Sequence, residues 1–195
     1  MTEIILADRD DLDALSAVIA DAFHGLPPSA WLIPDDAERR RIFPVYFRIH
    51  LEYALAVGTV HTTPGRAAAA LWIPAGAEPS APPDDYPQRL AAVTTPWTPR
   101  FAEFDAALEE RHPAGFAHDY LAMLAVRPDR QGTGIGTAFL NHHHSVLDQT
   151  GTPAYLEASS SRNRQLYLRH GYTGHSPPIQ LPGGPEMYPM VRKAR

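Results

Sequence analysis

The stretch "YLAMLAVRPDRQGTGIGTAFLNHHHSVLDQTG", residues 120–151, decides how this chain folds. An apolar, strand-like run ends in a glycine-rich turn, and the turn opens a helix-like run that stops at Gly151. A helix N-terminus carries backbone N–H groups with no partner inside the helix, which makes it an anion site. Glycines at 132, 134 and 136 remove the Cβ atoms that would hold an anion away. A P-loop would need a lysine beside the turn, and the chain has a single lysine, Lys193. A dinucleotide fingerprint would need GxGxxG straight after the strand. Here the glycines read GxGxG, position 137 is threonine, and five residues separate Val126 from Gly132.

Outward from this stretch, the pattern continues as a strand over "PAYLEAS" and a helix over "RNRQLYLRHG". A tail follows with two strands joined at Pro182-Gly183-Gly184. Toward the N-terminus, "TEIILAD" reads as a strand. "RDDLDALSAVIADAF" reads as a helix, with Leu12, Leu15, Val18, Ile19 and Phe23 at helical spacing. "HGLPPSAWLIPDD" breaks it. A second helix runs from near Asp35 toward Val57, with Pro44 expected to kink or split it. A hairpin turns around Thr63-Pro64-Gly65. Residues 76–117 are proline-rich and mostly helical or irregular, with "TPRFAEFDAALEERH" the clearest helix. Strands at both ends with helices between predict one mixed α/β sheet covered by helices, in a single domain over 1–195.

Composition narrows the function. The chain has 195 residues, 44% hydrophobic and 20% charged, the balance of an ordinary globular domain. Its net charge of −5, with no basic stripe, argues against nucleic-acid binding. No apolar run reaches membrane-spanning length, and "MTEIILADRDD" has no basic n-region before an apolar core. The expectation is a cytoplasmic protein with no membrane partner. Cysteine is absent, so disulfides, thiolate metal sites and a cysteine nucleophile are excluded. His142, His143 and His144 point about 100° apart on a helix. They cannot converge on one metal and are expected on a solvated face; no metal is expected.

In "VRPDRQGTGIG", Val126, Pro128, Gln131, Gly134 and Gly136 resemble the pyrophosphate loop of acyl-CoA N-acyltransferases, Q/R-x-x-G-x-G/A after a strand ending V-x-P. About thirty residues on, "SRNRQLYLRHGY" places Asn163 and Tyr167 four apart on one helix face. Together these resemble the GNAT superfamily of acetyl-CoA-dependent N-acetyltransferases, most strongly over 119–172. Within it, the chain is similar to the puromycin N-acetyltransferase type, including the strand glutamate of "LEAS". Thr133 and Tyr172 depart from the commoner loop and helix-end residues; Arg127 and Arg130 could replace the positive charge that Thr133 omits.

The resemblance implies a GNAT fold: a mixed, mostly antiparallel sheet of about seven strands, splayed between strands 4 and 5. It implies acetyl-CoA as the acetyl donor and a small-molecule amine as partner, with a homodimer left open. Residues 130–137 (Arg130, Gln131, Gly132, Thr133, Gly134, Ile135, Gly136, Thr137) would hold the pyrophosphate. Backbone groups of Leu124, Ala125 and Val126 would pair with pantetheine, Asn163 would reach it from the other side, and a backbone N–H near Ala125 or Val126 would serve as oxyanion donor. Without cysteine, direct attack in a ternary complex is the expected course. Tyr167 is the expected general acid, because an unperturbed phenol is protonated at neutral pH. Glu157 is the carboxylate base or amine anchor, with Asp119 and Tyr120 weaker choices for the base. Phe23, Leu26, Trp31 and Trp72, with Tyr120, would wall the acceptor. A serine hydrolase built on Ser159–Ser161 is disfavoured: there is no GxSxG elbow, and the serines suit a helix cap. A silent acyl-CoA sensor and an acetyltransferase of protein amines are the alternatives.

Overall fold

The computed structural model describes residues 2–76 and 83–195. In chain order it contains β1 (Ile5–Leu6), α1 (Leu12–Phe23), α2 (Pro27–Leu32), α3 (Asp36–Val57), β2 (Thr59–Thr62), β3 (Ala68–Ala75), α4 (Tyr86–Thr94) and α5 (Thr98–Arg111). There follow β4 (His118–Val126), α6 (Ile135–Thr150), β5 (Ala154–Ala158), α7 (Ser161–Arg169), β6 (Thr173–Gly174), β7 (Ile179–Gln180) and β8 (Glu186–Arg192). Of the proline-rich 76–117 segment, residues 77–82 lie outside the described residues.

The strands form one sheet in the order β1-β2-β3-β4-β5-β8-β6, with β7 on β8. Among the described residues, only β4 and β5 run parallel. This is the expected mixed, mostly antiparallel sheet, with β6 as an additional short strand. Local chemistry explains the helices. The Asp8 carboxylate accepts from the Asp10 N–H at 2.9 Å and caps the entry to α1. Leu12, Leu15 and Ile19 then form a buried stripe. The Asp35 carboxylate caps α3 through the Glu38 N–H at 2.8 Å. Pro44 does not split α3, which is continuous from Asp36 to Val57. The residue deprived of its helical partner, Arg40, is exposed, so water can satisfy its carbonyl. The "LPPSAWLIP" segment, expected only as a break, folds into the short helix α2 because a proline at its first turn costs no hydrogen bond.

Strand alternation divides the core in two. On β3, Ala69 and Leu71 face α1 and α3, whereas Ala68, Ala70 and Trp72 face α6. The β3–β4 register slips between Leu71↔Met123 and Trp72↔Leu121, leaving Ala122 as the extra residue of a bulge. Ala122 and Met123 therefore both pack toward α1 and α3. Parallel pairing of β4 with β5 stops after Asp119↔Ala154 and Tyr120↔Tyr155. From Leu121 onward that edge of β4 meets no strand, which is the expected splay.

His143 and His144 overturn the expectation of a solvated histidine face, since both are buried. They follow Phe139 and Leu140 by four residues and share their buried stripe. His143 stacks on Trp72 with centroids 4.0 Å apart, lies 2.7 Å from an Asp119 oxygen and 3.1 Å from His61. His144 meets the Tyr172 hydroxyl at 3.0 Å.

At the end of α3, a Cβ on Gly58 would stand 2.1 Å from the Trp72 carbonyl oxygen, a backbone atom that cannot swing away. Gly58→Ala is expected to destabilise the protein by about 1–3 kcal/mol, the usual cost of overpacking. A urea unfolding midpoint equal to wild type would contradict this.

Candidate active site

One cavity of about 1210 Å³ runs from the glycine turn, through the splay, to the helices α1–α5. At its first end the N-terminus of α6 has Gly134 as cap, in the left-handed region at φ 88°, with no side chain capping the helix. A Cβ built on Gly134 would meet nothing within 4 Å, so the space above the turn is open. The Gln131 amide donates to the Val126 carbonyl at 3.1 Å and ties the turn to the end of β4. The Thr133 hydroxyl donates to the Arg130 carbonyl at 2.6 Å and bends the turn. Arg127 is bound to Asp129 at 2.6 and 2.7 Å rather than turned toward the cavity, so it does not compensate for Thr133. Arg130 lines the cavity, and so do Arg162 and Arg169 of α7. These α7 arginines escaped the sequence reading, although "SRNRQLYLR" carries three positive charges and no negative one.

Of the other cofactor-site residues, Gln131, Gly132, Gly134, Ile135, Gly136, Thr137, Leu124, Val126 and Asn163 line the cavity. The Ala125 methyl instead packs into the α1–α3 core. Ser160 caps α7, its hydroxyl oxygen accepting from the Asn163 N–H at 3.1 Å, and the Asn163 amide donates to Ser159 at 2.9 Å. Both serines thus serve the helix start, the cap role expected of them.

Midway along the cavity stand Tyr167, Glu157 and Tyr120. Burial holds the Tyr167 phenol well above the usual tyrosine range, so it is protonated at neutral pH. The Tyr120 hydroxyl donates to Glu157 Oε2 at 2.8 Å, while Glu157 Oε1 is buried with no partner. Burial pushes the Glu157 carboxyl up to about 7, against the opposing hydrogen bond of Tyr120. This carboxylate is poised to change charge near neutrality. Asp119 faces the opposite side of β4, toward His143, and leaves Glu157 as the carboxylate of the sequence candidates that reaches the cavity.

Three of the five residues expected to wall the acceptor line the cavity, Phe23, Leu26 and Tyr120. Trp72 does not. It is wholly buried against α6 because β3 turns its even-numbered side chains that way, and Ile73 lines the cavity instead. Trp31 does not either. It packs on Ile179, Leu181 and Met187, its indole N–H donates to the Pro182 carbonyl at 3.0 Å, and Pro28, Ser29 and Leu32 of the same helix turn to the cavity. The aromatic wall comes largely from residues not singled out in the sequence: Tyr46, Phe47, Tyr53, Tyr86 and Phe104.

Comparison with known proteins agrees with this architecture. A family model described as "Acetyltransferase (GNAT) domain" matches residues 101–174, from α5 through β6. A Corynebacterium glutamicum structure described as histone acetyltransferase HPA2 and related acetyltransferase is 24% identical, with a TM-score of 0.71 over 100% of this chain and 98% of that one. Arylalkylamine N-acetyltransferase 2 of Aedes aegypti is 10% identical, with a TM-score of 0.66 over 99% of each chain. The C-terminal condensation domain of Ebony, in complex with beta-alanyl-dopamine, is 11% identical, with a TM-score of 0.65 over 100% of this chain and 99% of that one. The fold is the α/β GNAT fold, and residues 101–174 carry the sequence match.

Proposed function

We propose that this protein is an acetyl-CoA-dependent N-acetyltransferase acting on a small-molecule amine by direct attack in a ternary complex. The observation that carries the reading is that one cavity joins the open glycine turn, a half-buried protonated phenol and a half-buried carboxylate whose Oε1 has no partner. Acetyl-CoA would supply the thioester carbonyl that the amine attacks. The first-turn N–H groups of α6, with Arg130, Arg162 and Arg169, suit a pyrophosphate. The unpaired edge of β4 suits the amides of pantetheine, and Asn163 faces it across the splay. Glu157 would take the ammonium proton, directly or through water, and Tyr167 would give its proton to the departing sulfur. A backbone N–H at the end of β4 would face the oxyanion.

An aromatic-lined cavity favours a compact acceptor over a protein chain. Two structural neighbours are named for, or bound to, aromatic amine compounds, and the resemblance to the puromycin type points to aminoacyl compounds. The acceptors expected first are therefore amphipathic primary amines such as amino-acid amides, arylalkylamines and aminoacyl-nucleosides, ahead of spermidine and aminoglycosides. A spectrophotometric CoA-release screen with product masses tests this. Release with no amine in that panel, or a tenfold or greater advantage for spermidine, would defeat the acceptor reading. Gly134→Glu tests the turn: it strains a left-handed residue and puts a carboxylate where phosphate would lie. Calorimetry is expected to show loss of acetyl-CoA binding in a folded variant; unchanged affinity would refute the assignment.

A further inference from the structure

At the α4–α5 end of the cavity, away from the glycine turn, stands a polar group that the chemistry above does not use. The Tyr86 hydroxyl donates to Asp105 Oδ2 at 2.7 Å, and both residues line the cavity. Among the described residues, Asp105 Oδ1 accepts no hydrogen bond. His50 lines the same wall, with its ring 5.8 Å from that of Tyr86. Its Nε2 is buried and has no partner. A buried polar atom without a partner costs about 1–3 kcal/mol, so His50 Nε2 is set for a ligand to satisfy, and the half-buried Asp105 has an acceptor oxygen to spare. Around them the wall combines Tyr46, Phe47, Ile73 and Phe104 with two charged residues, Arg89 acting on His50 and Glu109 acting on Asp105.

We propose that Asp105 and His50, with Tyr86 holding the carboxylate in place, form a second polar station that binds a hydroxyl or amide at the far end of the acceptor amine. This rests on the acetyltransferase reading and narrows its substrate class. A hydroxyl or amide can donate to the Asp105 carboxylate and accept from a His50 N–H, satisfying both free atoms; an ammonium can only donate. Burial lifts the Asp105 carboxyl to about 6 and lowers His50 to about 4. At neutral pH this gives a carboxylate acceptor beside an uncharged imidazole. Sites built to bond a substrate hydroxyl discriminate against the analogue that lacks it far more strongly than apolar pockets discriminate a methylene.

The test uses matched pairs of amines: tyramine with 2-phenylethylamine, serotonin with tryptamine, tyrosinamide with phenylalaninamide. For the wild type, kcat/KM is expected to favour the hydroxylated member at least tenfold in one or more pairs. In Asp105→Ala that ratio should fall to within about twofold. Tyr86→Phe keeps the carboxylate, so its ratio should stay above about fivefold. Thermal melts of each variant accompany the kinetics. If Asp105 only ties α4 to α5 through Tyr86, both substitutions lower stability and shift both members of each pair alike, which overturns the proposal. A wild-type ratio within twofold in every pair also overturns it, while leaving acetyl transfer intact. If none of these amines is acetylated the proposal is overturned, and if no amine of the wider panel is acetylated both readings fall together.

Discussion

Replacing Tyr167 by phenylalanine is expected to lower kcat by about 10²–10⁴-fold, the usual contribution of a general acid–base group. The ring of Tyr167 packs edge-on against Tyr172 at 5.7 Å, and phenylalanine keeps that contact. Only the proton donor is removed. Burial holds the phenol protonated far into the alkaline range, so the wild-type rate should show no alkaline limb from this group near neutrality. Acetyl-CoA affinity, measured by calorimetry, should be nearly unchanged. A kcat within twofold of wild type would make Tyr167 a packing residue.

The second large effect is expected at Glu157, and it should have opposite signs for activity and stability. On the proposed mechanism Glu157→Gln would remove the base or the anchor for the amine, and kcat/KM should fall by about 10²-fold or more. In the wild type kcat/KM should rise with pH to a plateau above about 7, the value to which burial lifts this carboxyl; the variant should lose that acid limb. Stability follows from the same shift. The folded-state value lies above the ordinary 4.5, so the folded protein holds the proton more tightly than the unfolded chain. The contribution is most favourable below pH 4.5 and is lost as pH rises through 7. At pH 8 a charged, half-desolvated carboxylate remains, and glutamine should relieve it by about 1–3 kcal/mol. A glutamine variant that is less stable than wild type at pH 8, or as active as wild type, would show that Glu157 has a structural role instead.

The parts of this molecule that were legible in the sequence are those written in local backbone chemistry. The glycine turn, the Asn163–Tyr167 spacing and the Ser160 cap depend on residues within a few positions of one another. So do the hairpin at Thr63–Gly65 and the stripe of α1. The acceptor wall depends on which sheet face each strand offers, and that is decided by partners far away. Trp72 has the same alternation whether it faces α6 or the cavity, and a bulge at Ala122 changes which β4 side chains share a face without any mark in the sequence. Asp105 and His50 read as ordinary polar positions on amphipathic helices until α3, α4 and α5 meet. His143 and His144 were within reach: the spacing of Phe139, Leu140, His143, His144 and Leu147 is helical, and the identity of the histidines obscured the period.

The splay of β4 from β5 has a consequence for how the backbone exchanges its hydrogens. Along the residues after Tyr120, one edge of β4 is laddered to β3 while the other borders only the cavity. Successive amides of a strand point to opposite edges. Protection in this interior strand should therefore alternate from residue to residue, slow toward β3 and fast toward the gap. An extended chain of amides lying in the gap would turn that alternating pattern into a uniform one, so the filled and empty sheets differ in which protons they keep before any atom of the fold has moved.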